Sequence, residues 1–136
     1  MKHKKSISMF GLAILFALIF ALTACRAPKS IAKYTGDYAG TYKTNDNMGI
    51  GSWSGSVTES GAFSGIFKDD RGYKYTATGN VKNGKLSGSA KNEDPNHVGP
   101  EMKFNGEIKE TGAVSGTWQL GDNPVIGSGS FEGKRK

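Results

Sequence analysis

From residue 34 onward the chain alternates apolar and polar positions with a period of two. Tyr34, Gly36, Tyr38, Gly40 and Tyr42 fall on one face, while Asp37, Thr41 and Lys43 fall on the other. Such alternation marks a half-buried β-strand. Followed outward, it predicts eight strands, at 37–44, 50–58, 62–68, 73–82, 85–91, 102–109, 113–120 and 125–133. Trp53 and Val57, Phe63 and Phe67, Tyr73 and Tyr75, Leu86 and Ala90, Phe104 and Ile108, and Val114 and Trp118 take the inner parity. Lys74, Lys82, Lys85, Lys91, Lys103 and Lys109 take the outer one. No helical periodicity appears in this part of the chain, so the expected fold is all-β. A sheet with one apolar and one charged face must curl on itself or pair with a second sheet.

Three segments repeat: GSVTESGAFSG from Gly55, GNVKNGKLSG from Gly79 and GEIKETGAVSG from Gly106. Each reads as a β-hairpin around Asn83-Gly84 or a Ser/Thr-Gly pair. If the Asn83-Gly84 turn pairs Val81 with Leu86, Gly79 faces Gly88. Pairing Ile108 with Val114 sets Gly106 against Gly116, and pairing Val57 with Phe63 sets Gly55 against Gly65. Gly40, Gly55, Gly65, Gly79, Gly88, Gly106, Gly116 and Gly129 then share the inner parity, one near the middle of each strand. Glycine weakens a strand, so this recurrence points to sharp coiling with aromatic rings folded over the glycines. The expected architecture is an eight-stranded up-and-down antiparallel meander barrel, with a two-sheet β-sandwich as the alternative. A level row of glycines implies no stagger, yet closure requires shear, which the longer connections must supply. The outer lysines exclude a membrane-spanning barrel, since each costs about 2 to 4 kcal/mol near a bilayer midplane.

The first residues follow a different pattern. Lys2, Lys4 and Lys5 precede an uncharged apolar run from Met9 to Leu22, a length suited to a secretory signal and short of the roughly 20 residues of a membrane span. The run closes on Leu22, Thr23, Ala24 and Cys25, which resembles the lipobox of bacterial lipoproteins. In that family the cysteine thiol receives a diacylglyceryl group, signal peptidase II cuts just before it, and the new amino terminus is usually acylated. The resemblance implies a signal peptide over 1–24, a lipidated tether over 25–33 and a single β-barrel domain over 34–136. Cys25 is the only cysteine of the chain, so it has no intramolecular disulfide partner. Two or three acyl chains hold a domain on a membrane durably, each buried methylene contributing about 0.8 kcal/mol. Arg26 follows, in place of the aspartate that resembles an inner-membrane retention signal in enterobacteria, which favours the outer membrane.

Removing 24 of 136 residues leaves 112, enough for one modest core. Removing Lys2, Lys4 and Lys5 from the 18 Lys and Arg leaves 15 against 12 Asp and Glu, a net +3. That balance is mild, no basic stripe with interleaved aromatics stands out, and export argues against a nucleic-acid partner. The closing GKRK reads as a short solvated terminus.

In a meander, the short turns near residues 60, 83 and 111 lie at one end with both termini. The longer loops, 45–49, 69–72, 92–101 and 121–124, lie at the other, facing away from an N-terminal lipid. Binding residues sit most often on such loops. Those loops carry Asp46, Glu101 and Asp122, and with them the candidate partner-binding residues Asp69, Asp70, Arg71, Glu93, Asp94 and His97. Glu93, Asp94, His97 and Glu101 match no metal-ligand spacing, so a solvated acidic loop is the better account and no metal is expected. No serine or cysteine sits in a nucleophile context and the carboxylates have no distinctive pairing, so no catalytic residue and no cofactor are expected.

The ending GSGSFEGKRK resembles the closing strand of small Gram-negative surface lipoproteins of the transferrin-binding and factor H-binding type. Avidin-like barrels are similar in their alternation around glycines, though their biotin-facing residues cannot be placed here, and lipocalins are similar in architecture. Likeness of fold carries no function. Three roles follow as expectations: a lipoprotein binding a protein partner through its distal loops, a carrier or sensor holding a small apolar ligand against Tyr42, Trp53, Phe67 and Trp118, or a structural envelope protein. Exposed apolar loop residues are expected to be few, essentially Met48, Ile50 and Val98. The anchor is tested by metabolic palmitate labelling of the full chain. Label should be incorporated and should vanish in Cys25→Ser, whereas retained label rules Cys25 out.

Overall fold

The computed structural model describes residues 29–97 and 99–136. The lipobox, Cys25, the signal segment and Val98 lie outside the described residues. One helical turn, α1 (Lys29–Ala32), precedes eight strands: β1 (Gly36–Thr44), β2 (Ile50–Val57), β3 (Ala62–Asp69), β4 (Lys74–Lys82), β5 (Lys85–Asn92), β6 (Met102–Ile108), β7 (Ala113–Leu120) and β8 (Gly127–Arg135). Each strand pairs antiparallel with the next, and β8 returns to pair with β1, which closes the barrel. A sandwich would leave that seam open.

Local chemistry makes the hairpins. Asn83 and Gly84 both have positive φ, as a two-residue type I′ turn requires. Thr58 to Gly61 and Lys109 to Gly112 form two turns of one build. In each, the amide of the first residue donates across the turn to Ala62 or Ala113, and the closing glycine donates back to the first residue.

The three expected registers are present: Val81 opposite Leu86, Ile108 opposite Val114, and Val57 opposite Phe63, with their glycine pairs facing. The stagger comes from four of the other five junctions. Gly40 faces Trp53, Gly65 faces Ala77, Gly88 faces Phe104 and Gly116 faces Phe131, each two residues short of the next strand's glycine. Four steps of two residues make a shear of eight. The same value follows from stepping between opposed residues. The path from Gly36 runs through Val57, Phe63, Gly79, Gly88, Phe104, Trp118 and Gly129 and re-enters β1 at Thr44. Eight strands with a shear of eight tilt by about 36° and leave an interior that side chains fill.

Inner-parity rings fill it. Trp53 stacks on Phe67 at 6.1 Å, and Phe131 meets Trp53, Phe67 and Phe104 edge-on at 6.0, 6.4 and 6.2 Å. Burying each such ring contributes roughly 1.5 to 3 kcal/mol. The glycines let these rings lie on the backbone: a Cβ on Gly116 would sit 2.4 Å from the Phe131 ring.

At the seam Gly40 faces Gly133 while Gly129 faces Thr44, and β8 runs to Arg135, two residues further than expected. Gly133 to Arg135 are therefore strand residues and not a solvated tail. Arg135 Nη2 donates to the Tyr38 hydroxyl at 2.9 Å and to the Lys33 carbonyl, and Tyr38 donates to the Tyr34 carbonyl at 2.7 Å. Residues 31–33, expected within the tether, pack on this end of the barrel: Ile31 lies against Gly61, and Lys33 pairs with Glu110. Val125 and Ile126 fall in the β7–β8 loop, and Tyr73, expected inside, precedes β4 and is 40% exposed.

The close seam sets a stability test. A Cβ on Gly40 would lie 1.8 Å from the Glu132 carbonyl oxygen, whereas one on Gly127 meets nothing nearer than 3.7 Å. In urea unfolding, Gly40→Ala should lose about 3 kcal/mol or more and Gly127→Ala less than about 0.5 kcal/mol. Equal effects would remove the close approach from the account of closure.

Candidate binding site at the distal mouth

The β1–β2, β3–β4, β5–β6 and β7–β8 loops surround the end of the barrel opposite the termini. Inside this rim lies a cavity of about 150 Å³, lined by Tyr42, Asp69, Asp70, Arg71, Tyr75 and Trp118, with Ile50, Met102 and Leu120 as apolar walls. Larger depressions of about 410 and 440 Å³ run along the outer wall of β7, β8 and β1, floored by short side chains such as Thr41, Ser115 and Ala39. Both lie on the outer face of the sheet, whereas the mouth opens on the inward side chains Tyr42, Tyr75 and Trp118.

Tyr42 points inward from β1 because it shares the parity of Tyr38. Its ring crosses Gly51, where a Cβ would lie 2.3 Å from two ring carbons. It meets Phe67 and Trp118 edge-on at 5.6 and 6.1 Å. The residue is 6% exposed, and its hydroxyl has no hydrogen-bond partner. An orphaned buried polar atom costs about 1 to 3 kcal/mol, so its presence asks for a reason. Burial, followed by the negative charges of Asp69 and Asp70, pushes the Tyr42 phenol well above its ordinary range.

Tyr75 enters from β4, half-buried, with its phenol also raised, first by burial and then by Asp69. Asn92 stands opposite it on the inner parity of β5. The Asn92 amide favours the Tyr75 phenolate, yet its nitrogen makes no hydrogen bond of ordinary geometry. Asn92, Met102 and Leu120 were absent from the expected site. Parity counted from Leu86 through Ala90 places Asn92 inside, but the end of β5 was set one residue too early.

The four expected interior contacts divide. Tyr42 and Trp118 line the mouth, whereas Trp53 and Phe67 sit deeper and are spent on packing. Both indoles are latched across the seam. Trp118 lies over Gly129 and donates Nε1–H to the Lys43 carbonyl at 3.2 Å, while Trp53 lies over Gly133 and donates to the Glu132 carbonyl at 3.1 Å.

The six expected loop residues also divide. Asp69 Oδ1 accepts the amides of Arg71 and Tyr73 at 3.0 and 2.8 Å, which folds the β3–β4 loop and presents Asp70 and Arg71 at the mouth. Glu93 accepts the Thr76 hydroxyl on the outer wall, and Asp94 accepts the Asn96 amide within its own loop. His97 borders a separate depression of about 170 Å³ with Lys91, Gly99 and Glu101. The two groups touch where the His97 ring meets Tyr73 at 5.6 Å. Among the described residues no three potential ligating side chains converge on a metal position.

Charge and apolar surface both concentrate on this rim. Asp46, Asp69, Asp70, Glu93, Asp94, Glu101 and Asp122 are seven of the 12 acidic residues; Arg71 shares their loops, and Lys43, Lys68, Lys74, Lys91 and Lys103 stand at the adjoining strand ends, Lys103 pairing with Asp122 at 2.6 Å. Met48 and Ile50 at one loop, and Val125 and Ile126 at its neighbour, are exposed. Those loops are tied by Asn45, which donates its amide to the Ser128 carbonyl and its side-chain nitrogen to the Ser128 hydroxyl. No protein-family model matches this chain, and a search of curated proteins finds no match.

The Tyr42 phenol generates a pH prediction. Below about pH 10 both folded and unfolded states hold its proton. Above that, the unfolded chain releases it while the folded one retains it, so stability falls as pH rises. Tyr42→Phe should leave stability at pH 7 unchanged or raised, since no hydrogen bond is lost, and should flatten the alkaline fall. An unaltered alkaline slope in urea unfolding would overturn the assignment.

Proposed function

We propose that this protein is a non-enzymatic lipoprotein of the cell envelope, held through Cys25 on the outer membrane, that docks a protein partner on its distal loops. The carrying observation is the division of the barrel into two unlike ends. Near the termini lie Lys33, Lys82, Lys85, Lys109, Lys134, Arg135 and Lys136, which suit a membrane surface bearing anionic groups. The other end carries seven carboxylates beside Arg71 in its loops and Lys43, Lys68, Lys74, Lys91 and Lys103 at its strand ends, together with the mouth and the exposed Met48, Ile50, Val125 and Ile126. A lipid at the N-terminus would turn that second end outward from the membrane.

The filled interior supports docking over carriage of an apolar ligand within the barrel. Rings occupy the axis, and the mouth cavity is well below the roughly 300 to 1,000 Å³ of ordinary small-molecule pockets. Apolar residues beside charged loops are the composition of a docking rim around a small anchor pocket.

Photo-crosslinking side chains placed in the full chain in cells, at Met48 or Ile126 and at Thr111 as the control, test this reading. Discrete protein adducts should form from the two distal positions and not from Thr111. Adducts from Thr111 alone, or from none of the three, would overturn it.

A further inference from the structure

Two buried polar atoms among the described residues lack a partner, the Tyr42 hydroxyl and the Asn92 amide nitrogen, and both lie on the inner parity at the distal end. Tyr42 is more than nine-tenths buried, and its ring crosses Gly51 toward Asp69, which aims the hydroxyl into the mouth. Its lining combines the apolar Ile50, Met102, Trp118 and Leu120 with Tyr42 and Tyr75 and the charged Asp69, Asp70 and Arg71. Its volume, about 150 Å³, is on the scale of a single ring or one long side chain.

We propose that the mouth receives one basic side chain, lysine or arginine, from the docked protein partner. This rests on the docking reading and names the chemistry of its central contact. The aliphatic stem would run along Trp118, Met102 and Leu120, as long basic side chains do on apolar surface. The cationic head would donate to the Tyr42 hydroxyl and sit against aromatic faces. Asp69 and Asp70 oppose ionisation of the Tyr42 phenol, and the same field opposes an anionic guest. Of the rim's seven carboxylates Asp122 is paired with Lys103 at 2.6 Å, and Lys43, Lys68, Lys74 and Lys91 stand at the adjoining strand ends, so the draw on a basic side chain is local to Asp69 and Asp70 at the mouth. Arg71 stands at the same edge and works against the guest, which gives the test its sign.

The test uses isotope-labelled full chain in non-ionic detergent micelles, titrated by NMR with Nα-acetyl-lysine methylamide. Controls are the arginine analogue, the norleucine analogue, which keeps the stem without the charge, and the glutamate analogue. Saturable shifts centred on Tyr42, Asp70 and Tyr75 should appear with the two basic probes, with norleucine and glutamate at least about tenfold weaker. Arg71→Gln should tighten the lysine probe about threefold and Asp70→Asn should loosen it about threefold. Tyr42→Phe should loosen it about fivefold. Each variant's fold is read from the rest of its spectrum, and the two exposed-rim variants carry the comparison if Tyr42→Phe does not fold. Glutamate or norleucine binding as tightly as lysine, weakening by Arg71→Gln, or no saturable response to either basic probe would overturn the proposal. Crosslinking reads docking itself, so an empty mouth beside distal adducts would sink this inference alone.

Discussion

Closure at the β8–β1 seam is the constraint on which the rest of this structure depends. The two strands are the first and last of the barrel, so their pairing closes the longest loop in the chain and carries the largest entropic penalty. Gly40 and Gly133 meet there without side chains, and Trp53 and Trp118 lie across the seam from either side with their N–H groups bonded to Glu132 and Lys43 carbonyls. Two large apolar rings are thus buried at the place where pairing is hardest to achieve, and their only polar atoms are satisfied by the backbone they cover.

Rings fill a barrel closed this tightly along its axis. Polar side chains are displaced to the ends and the outer wall, and the ends are unlike because their connections are unlike. Tight turns have room for only a few polar residues such as Glu59 and Glu110, whereas the longer distal loops gather carboxylates and apolar side chains. Tyr42 and Asn92 mark the boundary where inward packing gives way to solvent. Their unpartnered atoms are consistent with a surface completed by another molecule.

Much of the fold was legible because period-two alternation and turn residues act locally. Asn83-Gly84 determines a register by itself, and with it the meeting of Gly79 and Gly88. The stagger was not legible, because it resides in four loops whose lengths do not dictate a register. Nor was the end of β8, since Lys134 and Arg135 look like a solvated tail until Tyr38 and the Lys33 carbonyl are brought beside Arg135. The site was half legible. Parity placed Tyr42 and Trp118 inside, but depth along the axis, which separates them from Trp53 and Phe67, follows from the shear. The apolar rim was understated because Val125 and Ile126 read as strand residues.

The glycine pairs divide the barrel into four near-equivalent parts. Three are ordinary hairpins, and the fourth is β8 with β1, level in register like the others but without a turn. The chain ends occupy the place of that missing turn, where the Lys136 amide bonds the Asp37 carbonyl. In effect the fold is a ring of four repeats cut open at one joint. A leash of any length can leave that joint without disturbing a strand, so the molecule can be tied to a surface while its architecture remains that of an untethered ring.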